Sequence, residues 1–517
     1  MEKSRKSVDF SAEFKMLKVL RKITITVLLS TILAITSLYI FDLDGVHSLH
    51  SKIPAQLQPF RPVPIRVANA IGKFLEHVDL LKVLLPLNEQ QLISSACKQL
   101  NNVGNSVLEC PLLEGSKDEE WRIGLRVLLD SLERDGSLTL FGRFFATQQI
   151  GDALKRRALV QQYWKTNHAW SKEIISRPIF IVGLPRTGTT FLQELLGQDP
   201  TLRTTKMWEL MEPVPPPPSP LDVHALNATD VQTRIRNVQW NLDQYKRLSP
   251  GLDAYHPVHS LRPEECILTL ASTFDSQQYS ATYQVNSFNQ WILEHKNHMY
   301  AMKWHKNVLQ TFQSGAHADE TKTQWVLKTP YYLALLDDIR ATYPDALIVH
   351  THRDPDQVLA SAASVHTKTF GIVSDDVDLQ RIGQDQVALQ RAFLTRAMRT
   401  RKKWKSEKFP FSKTGFNVID VHLKDLQIDT LAQVRRIFQE LIGRELTKEG
   451  EASMKQWLKE NKRDKHGSHK FRKEDFGIDV TGDTFFNEYA KFFSARGAAG
   501  SRVKDEEVEE DEIREEL

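Results

Sequence analysis

The sequence predicts an α/β architecture: a parallel sheet flanked by helices around a phosphate-cradling loop, preceded by a helical region and one membrane-crossing helix. Three observations carry this reading. Short β-rich apolar runs alternate with helical stretches from residue 178 onward. The first of these runs passes directly into a turn bounded by Gly183 and Gly188, and a helix-forming stretch follows. Residues 23–41, ITITVLLSTILAITSLYIF, carry no charge and come close to the ~20 residues a helix needs to cross a bilayer.

Lys3, Arg5, Lys6, Lys15, Lys18, Arg21 and Lys22 precede the apolar run, and Asp42 and Asp44 follow it. The positive-inside rule therefore leaves the tail 1–22 in the cytoplasm and places the rest of the chain in a Golgi-type lumen or outside the cell. The run is longer than the ~7–15 apolar residues of a cleaved signal and no small-residue cleavage site follows, so a retained transmembrane anchor is expected. Residues 42–65, spotted with proline, read as a stalk.

From 66 to 170 the apolar spacing is helical, as in WRIGLRVLLDSLERDGSLTLFGRFFATQQIGDALKRRALVQQYW. These helices are expected to pack the core and to form one side of an acceptor pocket. The α/β domain is read as 171–495, with strands in 178–184, 324–329, 346–352 and 416–423. PVPPPPSP, 213–220, suits neither a helix nor a central strand and is expected as an extended surface loop. The tail 496–517, ending KDEEVEEDEIREEL, reads as solvated and acidic.

The formal net charge is only +3 over 517 residues, with no long basic tract, which gives no reason to expect a nucleic-acid partner. An anionic small molecule fits better. Three cysteines do not make a disulfide scaffold, and neither CxxC nor HExxH occurs to suggest a metal site. Cys97 and Cys110 either pair, in an oxidising lumen, or stay as buried thiols. Asn227-Ala228-Thr229 is a glycosylation sequon that matters only in such a compartment.

The stretch PIFIVGLPRTGTTF, 178–191, has the GxxxxG spacing of a nucleotide-binding loop, but Thr189 stands where an ATP-binding loop carries lysine. A strand, a tight turn and a helix start would aim several backbone N–H groups at one point, where the helix dipole also favours an anion. Arg186, inside the loop, supplies a planar cation able to grip two oxygens of one terminal group without a metal.

The chain resembles the sulfotransferases that use 3′-phosphoadenosine 5′-phosphosulfate (PAPS). PRTGTT, 185–190, is similar to their 5′-phosphosulfate loop. In VHTHRDPDQVLASAAS, Arg353 and Ser361 stand eight positions apart, like the arginine and serine that bind the 3′-phosphate in this family. WEL (208–210), RPEEC (262–266), WVLKTPYYL (325–333), THRDP (351–355) and HKFRKEDFGID (469–479) are similar, in the same order, to motifs of the group that includes bacterial lipid and menaquinone sulfotransferases. Cys266 and the N-terminal anchor depart from that pattern.

The resemblance implies PAPS as co-substrate and sulfuryl transfer to a hydroxyl, with no obligatory metal. Arg186, Thr187, Gly188, Thr189 and Thr190 would hold the 5′ end; Arg353 and Ser361 would hold the 3′-phosphate; Lys470, Phe471 and Arg472 would close over the nucleotide. Lys328 and Arg186 are expected on the leaving-group side. Glu209 is expected as the base, with His256, Glu264 and Glu265 as rivals for that role. The aromatics Trp208, Tyr255 and Trp291, the helical front and the anchor favour an amphiphilic, lipid-like alcohol as acceptor. A glycan acceptor and a catalytically silent membrane-anchored nucleotide-binding protein are the alternatives. A nucleotide kinase or GTPase conflicts with the missing loop lysine.

Overall fold

In the computed structural model the described residues are 53–54, 57–101, 110–115, 119–219, 222–248, 252–295, 297–315, 324–406, 417–462 and 471–493. The expected anchor 23–41, the acidic tail and Lys470 lie outside them. Among the described residues, no helix is long and apolar enough to cross a membrane.

Five strands form one parallel sheet: β1 (Ile179–Gly183), β2 (Leu202–Thr204), β3 (Gln324–Lys328), β4 (Leu347–His352) and β5 (Val418–His422), in the order β2-β3-β1-β4-β5. All four longer strands fall within the apolar runs read from the sequence. Strand β2 gives no such signal, because Leu-Arg-Thr is too short and too polar to register as a run. It forms by adding to the edge of β3, with Leu202 opposite Gln324.

The near-continuous hydrophobicity of β1 follows from burial on both faces, as a parallel sheet covered by helices requires. Phe180 and Val182 point into one core with Leu327 and Ile348. Ile179 and Ile181 point the opposite way, joining Val326, Leu347 and Val349 and the helix residues Leu192, Ile437 and Phe438. The period of two in side-chain direction thus sorts one strand between two cores.

The helical front end shares the larger core. Trp121, Leu125, Leu128 and Leu132, on the helix Glu120–Arg134, are buried in it with Ile150, Leu154 and Ala158 of the long helix Leu140–Thr166. That long helix starts at Thr139, whose hydroxyl accepts from the Gly142 N–H at 3.1 Å. Cys97 and Cys110 are joined by a disulfide, and Cys266 is buried and unbonded. The proline run, described from Pro213 to Ser219, has no regular structure but is not wholly at the surface. Pro213, Pro217 and Ser219 are buried, and a side chain at Gly315 would meet the Pro217 carbonyl at 2.5 Å.

Because all strands run the same way, the ends of β1, β3 and β4 deliver Gly183, Lys328 and Arg353 to one rim of the sheet. That rim is where parallel α/β sheets place ligands.

Candidate active site

The loop leaves β1 through Gly183, at φ +155°, where a Cβ would meet Thr351 Oγ1 at 2.2 Å. Only glycine permits this approach to β4. Arg186 (φ +67°) and Gly188 (φ +86°) are left-handed, which curls the main chain before the helix Thr189–Leu196 begins. Thr187 ties the loop down: its hydroxyl donates to the Leu184 carbonyl at 2.7 Å and lies 2.6 Å from Thr351 Oγ1. The THRDP motif opens on Thr351 without saying what its hydroxyl meets. The role of that hydroxyl comes from strand register, which sets Thr351 opposite Gly183.

Two cations meet beside this loop. Arg353 Nη1 donates to the Arg186 carbonyl at 3.2 Å, and Arg186 Nε donates to Ser361 Oγ at 3.2 Å. Ser361 is buried on the helix Pro355–Val373, whose first turn is capped by Asp354 accepting from the Asp356 N–H. Arg353 Nε also reaches Gln357 Oε1 at 3.0 Å. Desolvation first, and then the neighbouring Arg353 charge, depress the Arg186 pKa. Two guanidinium groups that raise each other's energy, beside a curled stretch of amides, suit a ligand with two anionic groups. The expected trio Arg186, Arg353 and Ser361 is therefore one contiguous cluster.

Lys328, at the end of β3, is 1% exposed along its side chain. Its Nζ donates to Thr190 Oγ1 at 3.0 Å and to Glu265 Oε1 at 2.7 Å, while Thr329 Oγ1 donates to Glu265 Oε2 at 3.1 Å. Lys328 is thus bonded to the loop helix itself rather than standing as a bystander at the sheet edge. The backbone fixes Glu265 here, since the Cys266 N–H donates to the Lys328 carbonyl at 3.0 Å.

Glu264 turns the other way. It is buried, accepts from the Glu265 N–H at 2.8 Å, and lies 3.5 Å from His256 Nε2. Burial raises its pKa, but His256, Lys328 and the Glu265 amide outweigh that and bring it down to about 2. Burial pulls His256 down, yet Glu264 and Glu265 win and its pKa lies above the ordinary 6.5.

Glu209 is held differently from these groups. Its Oε2 accepts from the Lys206 N–H at 2.8 Å, its Oε1 is 3.7 Å from Arg203, and both side chains are almost fully buried. Arg203 stacks on Trp325 at 4.5 Å. These contacts start the helix Met207–Met211 and tie it to β2 and β3. Of the expected aromatics, Trp208 lies in a small cluster with Met207, Val231, Ile235 and Val258. Trp291 packs instead against the larger core, stacked between Phe288 and His295, so the two tryptophans do not share a wall. The Tyr255 side chain is outside the described set. Arg472 is 70% exposed and paired with Asp475 at 2.7 Å, and Phe471 packs on the larger core.

Among the described residues one trio, His350, His352 and Asp420, brings three possible metal-ligand atoms within 4.8 Å of one another. Arg401 donates to both Asp420 oxygens at 2.9 Å and reaches His350 Nδ1 at 3.2 Å. A guanidinium already neutralises the carboxylate a metal would need.

The model of the Sulfotransferase family matches residues 178–447. Comparison with curated proteins gives no match. The crystal structure of the sulfotransferase STF1 from Mycobacterium tuberculosis aligns with a TM-score of 0.63 and 27% identity, covering 79% of this chain and 98% of that one. The crystal structure of the sulfotransferase STF9 from Mycobacterium avium aligns with a TM-score of 0.64 and 22% identity, covering 78% and 96%, a likeness of fold. With the matched region spanning the loop, Lys328, Arg353 and Ser361, the chain belongs to the sulfotransferase family.

Proposed function

We propose that this protein transfers the sulfuryl group of PAPS to a hydroxyl of an amphiphilic acceptor, giving a sulfate ester and adenosine 3′,5′-bisphosphate. The contact network joining Arg186, Arg353 and Ser361 beside the glycine-bounded turn is the observation that carries this reading. It offers one seat at the amides and side chains of 186–190 for the 5′ group, and a second at Arg353 and Ser361 for the 3′-phosphate.

In this reading the acceptor hydroxyl attacks sulfur in line. Its proton passes to a carboxylate, the new S–O bond forms, and the bond from sulfur to the 5′-phosphate oxygen breaks. Lys328 stabilises the charge gathering on that departing oxygen, because its Nζ already sits against the loop helix at Thr190. Glu265 is the carboxylate this geometry favours as base. It stands beside Lys328 at the loop helix and its side chain is 16% exposed, against 3% for Glu209 and 9% for Glu264. A lumenal, membrane-anchored setting through residues 23–41 belongs to the same proposal and supports a lipid-like acceptor over a glycan.

The test is titration with adenosine 3′,5′-bisphosphate and with ATP–Mg²⁺, followed by transfer of radiolabelled sulfate from PAPS to lipid and glycan fractions. Metal-independent bisphosphate binding and labelled lipid support the proposal; preference for ATP–Mg²⁺ refutes it. Single-turnover rates of Glu265→Gln and Glu209→Gln then assign the base, since the true base variant loses about 10²–10⁴-fold.

A further inference from the structure

The chain is fastened to the domain soon after the uncharged run 23–41. Ile53 and Leu57 are buried in the larger core, and Arg61 Nε donates to the Gly371 carbonyl at 2.8 Å, on the helix that carries Ser361. Only the 11 residues 42–52 separate the run from this attachment, a reach of at most about 40 Å.

The first elements beyond the attachment expose an apolar surface. Phe60, Val63, Val78, Leu80, Val83 and Leu84 are 42–69% exposed. They are six of the thirteen large hydrophobic side chains that the described residues expose, gathered in 25 residues of chain. A scattered exposed side chain of this kind is ordinary, whereas a gathered set marks an interaction surface.

The helix Val63–His77 is apolar on the side turned away from the core. Its inward side holds Ile65, Asn69 and Gly72, with the Asn69 side chain accepting from the Phe141 N–H of the long helix at 3.1 Å. Val63, Val67, Ala70 and Phe74 follow at helical spacing on the opposite side, and all four are at least partly exposed. A helix that meets only water there carries polar residues instead. The Val78 N–H donates to the Phe74 carbonyl at 3.2 Å and the Leu80 N–H to the Leu75 carbonyl at 2.8 Å. The chain thus turns directly off the helix end and carries the exposed side chains of Leu80, Val83 and Leu84 onward from it. The charged side chains exposed over 60–84 are Arg66 and Lys82 against Glu76 and Asp79. Their formal charges cancel, so nothing here favours an ionic partner.

We propose that the outward face of the helix Val63–His77, with the turn 78–84, rests on the lipid bilayer surface beside the anchor. An apolar, formally neutral surface tethered within about 40 Å of a membrane-length run suits lipid. The contact sets the helical front end against the membrane, where an amphiphilic acceptor resides. The inference rests on the membrane-anchored setting proposed above and adds the surface that meets the bilayer.

Depth quenching on the full chain in phosphatidylcholine vesicles tests it. An environment-sensitive thiol fluorophore is placed singly through Val78→Cys, Val83→Cys, Ile32→Cys or Ile428→Cys. The native Cys97 and Cys110 are bonded and Cys266 is buried, so labelling falls on the new thiol. The probe at 32 reads the anchor, and the one at 428, on the helix after β5, is the exposed control. Probes at 78 and 83 are expected to shift to the blue and to be quenched by doxyl-labelled lipid, and the probe at 428 to do neither. Val83→Asp with Leu84→Asp, read from the probe at 78, lowers the docked fraction by about tenfold or more. That double variant keeps Tm, because both side chains project from the fold. Unquenched probes at 78 and 83 overturn the inference whatever the probe at 32 reports, as does equal quenching at 428. A blue shift that doxyl lipid does not quench also overturns it, since protein then covers the face. An unquenched probe at 32 beside quenched probes at 78 and 83 refutes the anchor alone and leaves the inference standing.

Discussion

Lys328 and Glu265 form an ion pair of 2.7 Å at the base of the glycine-bounded loop, and the same ammonium donates to Thr190 Oγ1 at 3.0 Å. The lysine is buried and the carboxylate nearly so, which makes the pair mutually dependent. Removing one partner of a buried pair is expected to cost about 3–5 kcal/mol, because the other charge stays behind desolvated.

Lys328→Met is therefore expected to lower kcat by about 10²–10³-fold through lost leaving-group stabilisation, and to destabilise the fold. The double variant with Glu265→Gln should regain much of the stability but none of the activity. Urea denaturation alongside single-turnover sulfation checks both. Equal losses in the single and double variants would show that the pair is not coupled.

The proposed function has Arg353 and Ser361 hold the ribose-linked phosphate. Arg353→Gln is expected to weaken adenosine 3′,5′-bisphosphate binding by about 1.5–3 kcal/mol, the range for a hydrogen bond to a charged group. Affinity for adenosine 5′-phosphosulfate, which lacks the 3′-phosphate, should hardly change. Ser361→Ala should show the same selectivity at smaller size. Parallel calorimetric titrations of the two nucleotides give the ratio that decides it.

The His256–Glu264 pair predicts a plateau of stability with two falling limbs. Glu264 moves down from 4.5 to about 2, so its contribution is complete above pH 4.5 and is lost as pH falls toward about 2. His256 is raised above 6.5, so its contribution is complete below pH 6.5 and is lost as pH rises through the raised value. His256→Gln should remove the pair's share of the alkaline limb. That share is small, because the imidazole is 40% exposed and solvent screens the pair. Tm measured against pH for both proteins tests it; superimposable alkaline limbs would refute the assignment.

The Cys97–Cys110 bond closes a short loop, with a sequence separation of 13. Loop-closure entropy for a span of that length gives about 3 kcal/mol. Cys97→Ser, or reduction of the wild type, should therefore lower stability to urea by about 2–3 kcal/mol. Adenosine 3′,5′-bisphosphate binding by the surviving folded fraction should be unaffected, because the bond lies in the helical front end and not in the loop 183–190. Paired melts with and without reductant provide the measurement.

Much of the donor side is legible in the amino-acid sequence. Gly183, Arg186 and Gly188 stand out because a main-chain anion seat needs glycine at fixed offsets and a cation beside it, a local requirement written into consecutive residues, whereas Arg353 and Ser361 stand out only through the resemblance to sulfotransferases. The four longer strands are legible too, because their apolar runs reflect burial on both faces. Glu209 shows the limit. WEL marks the position, but Arg203 of β2 and the Lys206 amide engage its carboxylate, and a three-residue edge strand leaves no periodic signal.

What the residues determined unaided was the turn: glycines at fixed offsets with Arg186 between them, specified by neighbours in the chain. Tertiary structure alone decided which carboxylate meets Lys328 and how Thr351 braces the loop. Those facts depend on strand register and helix packing between segments far apart in the chain, and no local pattern encodes them.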